Sequence, residues 1–379
     1  MNSITTLATL IAITAATTTA SAQSIFPTVL PWKINTTGQT GFQGFAANVQ
    51  SVRYGATYVY VASSGIPSYS IGPWPNNPGS PIAHNWSFRL PRNPVPATTP
   101  TAVGGGHIGV YVNGVTFFNP GDARSYNNLN IWHQNAMFFE VNGFDSALGH
   151  PAGTEYHHHQ RTPQLFGGDP THHSPILAYA FDGFPVYGSF GFANSDGTGG
   201  VVKITSSYRT RNITQRTSLP NGTQLTPAQY GPVVSTTSPI GCYIEDHEYV
   251  AGLGKLDSSN ARFCITPDYP NGTYAYFSPV NESGISVYPY MIGPTYRGVL
   301  VTGNTGPGNG HNTPTEAVVT FCCTPCEADT DLNRIVDGAD LSNVLSRWGG
   351  GGGMGDINRD GIVDAADLTV LLAGWGSCS

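Results

Sequence analysis

Residues 107–118 read "HIGVYVNGVTFF", and this stretch decides the fold class. Ile108, Val110 and Val112 alternate with their neighbours up to Asn113-Gly114, and apolar residues resume at Val115. A period of two places alternate side chains on opposite faces of a strand. Asn-Gly between two such runs predicts a hairpin, because both residues tolerate the positive φ of a type I′ turn. Further out, "SVRYGATYVYVAS" (51–63) and "NGTYAYFSPV" (271–280) read as more strands. The stretches "GPWPNNPGSP" (72–81), "PRNPVPATTP" (91–100) and "GNTGPGNGHNTP" (303–314) read as loops, since repeated proline cannot join a ladder. The expectation is a mainly β body, sandwich-like, with long Gly/Pro-rich loops.

Composition agrees. Only 10% of the 379 residues are charged, against 47 Gly and 29 Pro. Long solvated helices need charged outer faces, so many short strands and tight turns are favoured. Net charge is −7, and −6 of it falls between Glu327 and the end, where nine acids face three arginines. Neither part carries a basic stripe, so nucleic-acid binding is excluded as an expectation.

The first 22 residues hold a short apolar run ending in Ala20-Ser21-Ala22, a signature of signal-peptide cleavage before Gln23. The Thr-rich run lacks the roughly 20 apolar residues of a membrane span, and no other segment supplies them. A secreted, extracellular chain is expected. Six cysteines in such a chain suggest disulfides. Cys242 is expected to pair with Cys264, and Cys326 with Cys378, which leaves Cys322 and Cys323 as neighbours.

The tail has its own pattern. "DTDLNRIVDGADLSNVLSRWG" (329–349) and "DINRDGIVDAADLTVLLAGWG" (356–376) are two copies offset by 27 residues. Each carries oxygen-bearing side chains at loop positions 1, 3, 5, 9 and 12, followed by a short apolar helix. The first set is Asp329, Asp331, Asn333, Asp337 and Asp340; the second is Asp356, Asn358, Asp360, Asp364 and Asp367. With the main-chain carbonyls of Ile335 and Ile362 at position 7, this spacing wraps oxygens around one point, as Ca²⁺ requires. An acidic solvated loop is the plainer alternative, and the duplication argues against it. The tail resembles a type I dockerin, a small helical module of paired calcium loops. That resemblance implies two Ca²⁺ sites and a cohesin-like domain or cell-surface scaffold as partner. It departs at Arg334, where the sharp turn favours glycine, and at Gly338-Ala339 and Ala365-Ala366, where cohesin-reading dockerins often carry Ser or Thr.

Nine of the eleven histidines lie between His84 and His173. The surrounding segments are "FEVNGFDSALGHPAGTEYHHHQRTP" (139–163), "HHSPILAYAFDGFPVYG" (172–188), "YIEDHEYVAGLGKLDSSNARFCITPDYPNGTYAYF" (243–277) and "YPYMIGPTYRG" (288–298). Together they resemble the YHYH family of secreted bacterial proteins; the run itself is Tyr156-His157-His158-His159, with His in place of the second Tyr. The resemblance identifies a domain and carries no established reaction. The chain then divides into a signal peptide (1–22), a YHYH-like β-rich domain (23–321), a Cys-rich linker (322–327) and a dockerin-like calcium-binding domain (328–379).

On a strand, His157 and His159 point to one face, while Tyr156 and His158 point to the other. Imidazoles at i and i+2 offer two nitrogens to Zn²⁺ or Cu²⁺. A third ligand is expected from His150, in the Gly149-His150-Pro151 turn, or from His173. Asp182 and Glu155 are candidate carboxylates behind the ligands, and Tyr156 or Tyr187 a proton donor. The competing reading is a polar network satisfied by main-chain groups. His158 and His172 are set aside by parity; His247, in Glu245-Asp246-His247-Glu248, is either a further ligand or, the favoured reading, a hydrogen-bonded residue beside Cys242.

Sharper motifs fail. "GGGHIG" (104–109) fits a dinucleotide fingerprint but lacks the preceding strand and following helix. There is no G-x-S-x-G, and "HEYVA" at His247 lacks the second His of a zincin. Two functional classes remain: a secreted metal-dependent enzyme, hydrolytic with Zn²⁺ or oxidative with Cu²⁺, and a non-catalytic binding or matrix module. An accessory protein of polysaccharide degradation is implied only by the company dockerins keep.

Overall fold

The computed structural model describes residues 27–165, 168–321, 328–331, 335–351, 353–358 and 360–377. The expected signal peptide, Asn333, Arg334, and the cysteines 322, 323, 326 and 378 lie outside the described residues.

Two large sheets build the core of the body, beside three two-stranded sheets among the described residues. The smaller is antiparallel and runs Val319–Phe321, Val49–Tyr54, Tyr58–Ser63, Trp86–Pro91. The larger has eight strands, in the order Ala261–Cys264, Thr273–Phe277, Pro185–Tyr187, Ile176–Ala180, His107–Tyr111, Thr116–Phe118, Glu155–His158, Gly149–Ala152. Two of its pairings are parallel: Pro185–Tyr187 with Thr273–Phe277, and Thr116–Phe118 with Glu155–His158. Both sheets feed one core, with Val52, Val61 and Phe88 from the small sheet against Val110, Tyr179 and Tyr276 from the large one. Trp86–Pro91 alternates buried and half-buried residues, as a half-covered strand should. His107–Tyr111 and Ile176–Ala180 are buried at every position, so the centre of the large sheet is covered on both faces. Each large apolar side chain placed there contributes about 1.5–3 kcal/mol by burial.

The 107–118 hairpin forms with a different turn from the one its Asn-Gly predicts. Gly114 alone of the pair takes a left-handed backbone, with φ 82°. Its N–H donates to Tyr111 O at 2.7 Å, and Tyr111 N–H donates to Val115 O at 2.8 Å. This is a three-residue loop closed by a left-handed glycine. Asn113 instead accepts the Val115 N–H on its Oδ1 at 3.2 Å. A Cβ on Gly114 would stand 2.1 Å from Ser63 Oγ, so close approach of the neighbouring sheet also demands glycine.

The expected Cys242–Cys264 bridge is absent; both are free and buried. Cys242 packs in a satellite cluster with Trp132 and Tyr243, whereas Cys264 ends a strand of the main core. The two sulfurs belong to different packing units, which sequence proximity did not reveal.

The tail has a separate small core including Val336, Val344, Val363 and Leu371. Helices Gly338–Ser346 and Ala365–Ala373 begin alike: Asp337 and Asp364 cap them, and Asp340 and Asp367 return a carboxylate oxygen to the cap N–H at 2.9 and 2.8 Å. The other oxygen of each reaches back to the loop start, accepting from Thr330 N and from Ile357 N, both at 2.6 Å. The 27-residue repeat is thus a repeat of hydrogen bonds as well as of letters. Among the described residues, no helix is long and apolar enough to cross a membrane.

Candidate metal centre

His157 lies on the strand Glu155–His158, and His150 is its direct partner on Gly149–Ala152. His150 therefore sits in a strand rather than the turn expected from Gly149 and Pro151. Gly149 is needed at this point, since a Cβ would fall 2.4 Å from the Tyr156 hydroxyl on the opposite strand. His159 follows the strand and returns to the same face as His157. The Nε2 atoms of His157 and His159 are 3.2 Å apart, and those of His150 and His159 are 3.3 Å apart. All three residues are buried, and together they form a group able to hold a metal ion.

Main-chain carbonyls set two of the tautomers. His157 Nδ1 meets Glu155 O at 3.2 Å, and His159 Nδ1 meets Asn119 O at 2.8 Å. A carbonyl can only accept, so each Nδ1 carries a proton, and in the neutral ring each Nε2 then presents a lone pair to the centre. Facing lone pairs at 3.2 Å repel unless a proton or a metal ion lies between them. Aromatic rings wall the group: Phe118 stacks on His157 at 3.8 Å between centroids, and Phe144 meets His150 edge-on at 4.7 Å. Burial, then the charge of His159, pushes His150 down to about 4. His157 falls well below its ordinary value through burial and through His159 and His150. Both rings are therefore neutral at pH 7, the form in which imidazole binds metal.

Glu140 stands at the edge of this group. It ends the short helix Ala136–Phe139, which Asn135 caps, and its Oε2 lies 3.4 Å from His159 Nε2 and 3.6 Å from His150 Nε2. A cleft of about 570 Å³ opens here, lined by Asp122, Arg124, Gln134, Phe139, Glu140 and His150 among others. Asp122 is raised from its ordinary value by burial and by the charge of Glu140.

The other singled-out residues have different partners. His158 is buried on the opposite face, between Tyr69 Oη at 3.0 Å and Leu148 O at 3.0 Å. Tyr156 donates to Asp145 at 2.9 Å, where Gly72, Trp74, Ala147 and Gly149 also donate. The Glu155 carboxylate serves His107 at 2.9 Å and Thr116 at 2.7 Å, so its carbonyl rather than its side chain orients His157. His173 is not part of the group: it packs against Tyr187 and Phe192, with Nδ1 on Ser174 O. Asp182 accepts from Tyr276 Oη, Gly298 N and Phe184 N, and Tyr187 is bonded to Thr266 and Asp268. His247 stacks on Tyr288 and is bonded to Ile244 O. Glu140 and Asn119 were not singled out from sequence, and no spacing rule joins them to the histidines.

In the tail, Asp329, Asp331 and Asp340 form a second group able to hold a metal ion. In the second loop, burial and the charges of Asp367 and Asp360 push Asp356 up to about 7.

No curated protein and no solved structure matches this chain. The family model described as "YHYH protein" matches residues 87–287, a span that holds His150, His157, His159 and Glu140. That span is 201 of the 379 residues, and by it the chain belongs to the YHYH family.

Proposed function

We propose that the chain is a secreted metal-dependent hydrolase, with Zn²⁺ held by His150, His157 and His159, carried on a calcium-binding tail. The observation that carries this reading is the convergence of three buried Nε2 atoms, two of them with tautomers fixed from behind. Donors about 2.0–2.1 Å from a tetrahedral ion stand about 3.3 Å from one another. The observed separations are 3.2 and 3.3 Å. Adjacent donors in a square-planar Cu²⁺ set would be nearer about 2.8 Å, so the spacing favours zinc, and hydrolysis over oxidation. Bound there, zinc would supply Lewis acidity and lower the pKa of a water molecule. Glu140 is positioned to take a proton from water in the cleft, while Phe118 and Phe144 keep the ligand rings dry and rigid.

One observation favours a second reading. Glu140 Oε2, at 3.4 and 3.6 Å from two of the nitrogens, also stands where a fourth ligand would. Four protein ligands close a zinc site and make it structural, which would suit a non-catalytic binding or matrix module.

For the tail, two Ca²⁺ ions are supported by the duplicated carboxylate geometry and by the crowding that raises Asp356. A protein partner, of the cohesin-like or surface-scaffold kind, is supported by Leu345 and Trp348 and their 27-residue equivalents Leu372 and Trp375, all exposed. A role beside polysaccharide degradation rests on the dockerin resemblance alone.

The test is metal analysis of the purified, dialysed chain, in the wild type and in His157→Ala and His159→Ala. About one zinc per chain, lost in both variants, is expected. A wild type free of zinc and copper would remove the metalloenzyme reading. Addition of Ca²⁺ should raise the helical circular dichroism, and an unchanged spectrum would remove the calcium reading.

A further inference from the structure

The run at 349–353 is five glycines, which by composition reads as a flexible linker. Two of its described residues, Gly351 and Gly353, are instead seated on the body. Gly351 is buried, and a Cβ there would fall 2.2 Å from His173 O and 3.2 Å from His172 Cβ. Gly353, at φ 88°, lies so close that a Cβ would be 3.3 Å from Pro267 O and 2.7 Å from Arg347 Nη1. Arg347 follows the helix Gly338–Ser346 as its C-cap and donates from Nη1 to Pro267 O at 2.8 Å. From the second loop, a Cβ on Gly361 would meet the Pro175 ring at 3.8 Å.

Two body loops, 172–175 and 266–268, thus receive a face of the tail made largely of bare backbone. Close approach of two backbones is what glycine permits and any larger residue forbids. Charge complements the fit. Asp268, partly buried and accepting from Tyr187 Oη at 2.9 Å, faces Arg347. Burial raises its carboxyl to about 6, against the pull of Tyr187 and Arg347. The apolar residues Leu345, Trp348, Leu372 and Trp375 remain exposed on the tail.

We propose that the body surface formed by residues 172–175 and 266–268 is a docking seat for this chain's own C-terminal segment, latched by Arg347, Gly351 and Gly353. The tail is then a fixed extension of the body rather than a module on a loose tether. A partner bound to the exposed apolar residues of the tail would hold the body in one orientation.

Limited proteolysis of the full chain with a non-specific protease, with cleavage sites mapped by mass spectrometry, tests this. In the wild type the 347–353 segment should resist cleavage. Gly351→Val should raise its cleavage rate at least tenfold, and Arg347→Met several-fold. Because either change could disturb the tail itself, Asp268→Asn supplies the body-side test. It retains an oxygen for Tyr187 and removes the charge facing Arg347, and it should raise cleavage of the tail segment several-fold. The double variant Arg347→Met/Asp268→Asn should be no worse than the worse single one. A wild-type segment cut as fast as an unstructured linker, or an Asp268→Asn chain cut at the wild-type rate, would overturn the proposal.

Discussion

Glu140 Oε2 lies 3.4 Å from His159 Nε2, at the point where the buried imidazoles meet the cleft. Burial acts to raise this carboxyl, but the hydrogen bond and charge that His159 supplies when its Nε2 also carries a proton, with His150 and Arg124, outweigh it and leave the group below its ordinary value. Glu140 is therefore ionised at neutral pH and able to accept a proton. In Glu140→Gln, metal content should stay near one per chain while turnover of an activated aryl ester falls by about 10²–10⁴-fold, the usual contribution of a positioned base. A variant that instead loses its metal would mark Glu140 as the fourth ligand of a closed site.

His158 separates the chemistry of the run from its packing. It is fully buried, bonded to Tyr69 Oη and Leu148 O, and wedged edge-on against Tyr111 and Tyr156. Burial pushes its pKa down to about 4, so it sits neutral in the fold. Replacement by Phe keeps a ring of similar shape but leaves the Leu148 carbonyl without this donor. A loss of about 1–3 kcal/mol in denaturant unfolding is expected, with zinc content unchanged. Loss of zinc in His158→Phe would show that strand parity does not divide the three histidines by role.

Local rules account for what was legible in the sequence. The period of two in 107–118 gave the hairpin, and strand parity put His157 and His159 on one face. Local rules also explain what was missed. The turn at Asn113-Gly114 follows from Ser63, which packs against Gly114 across 51 residues of sequence. His150 entered as a turn residue, yet it acts as the cross-strand partner of His157, a register that no single-strand pattern contains. Glu140 reaches the site from a short helix, and Asn119 offers only its carbonyl, which any residue type could do. Asp182 shows the converse: a carboxylate in a suggestive motif whose partners, Tyr276 and Gly298, lie roughly a hundred residues away.

Asp182 also yields a pH prediction. It is fully buried, and burial raises its carboxyl to about 6 despite the donors Tyr276, Gly298 and Phe184. A carboxyl with a folded pKa above its unfolded value of about 4 binds its proton more tightly in the native chain. Its contribution to stability is therefore full below about pH 4, declines as the pH rises from 4 to 6, and is flat above. Asp182→Asn cannot titrate, and it also trades an acceptor for a donor opposite N–H and O–H groups that need acceptors. It should destabilise the chain at both pH values, by roughly 1 kcal/mol more at pH 5 than at pH 7. Urea unfolding of both proteins at the two pH values measures this difference. An equal penalty at pH 5 and pH 7 would mean that Asp182 ionises in the fold as readily as in the unfolded chain.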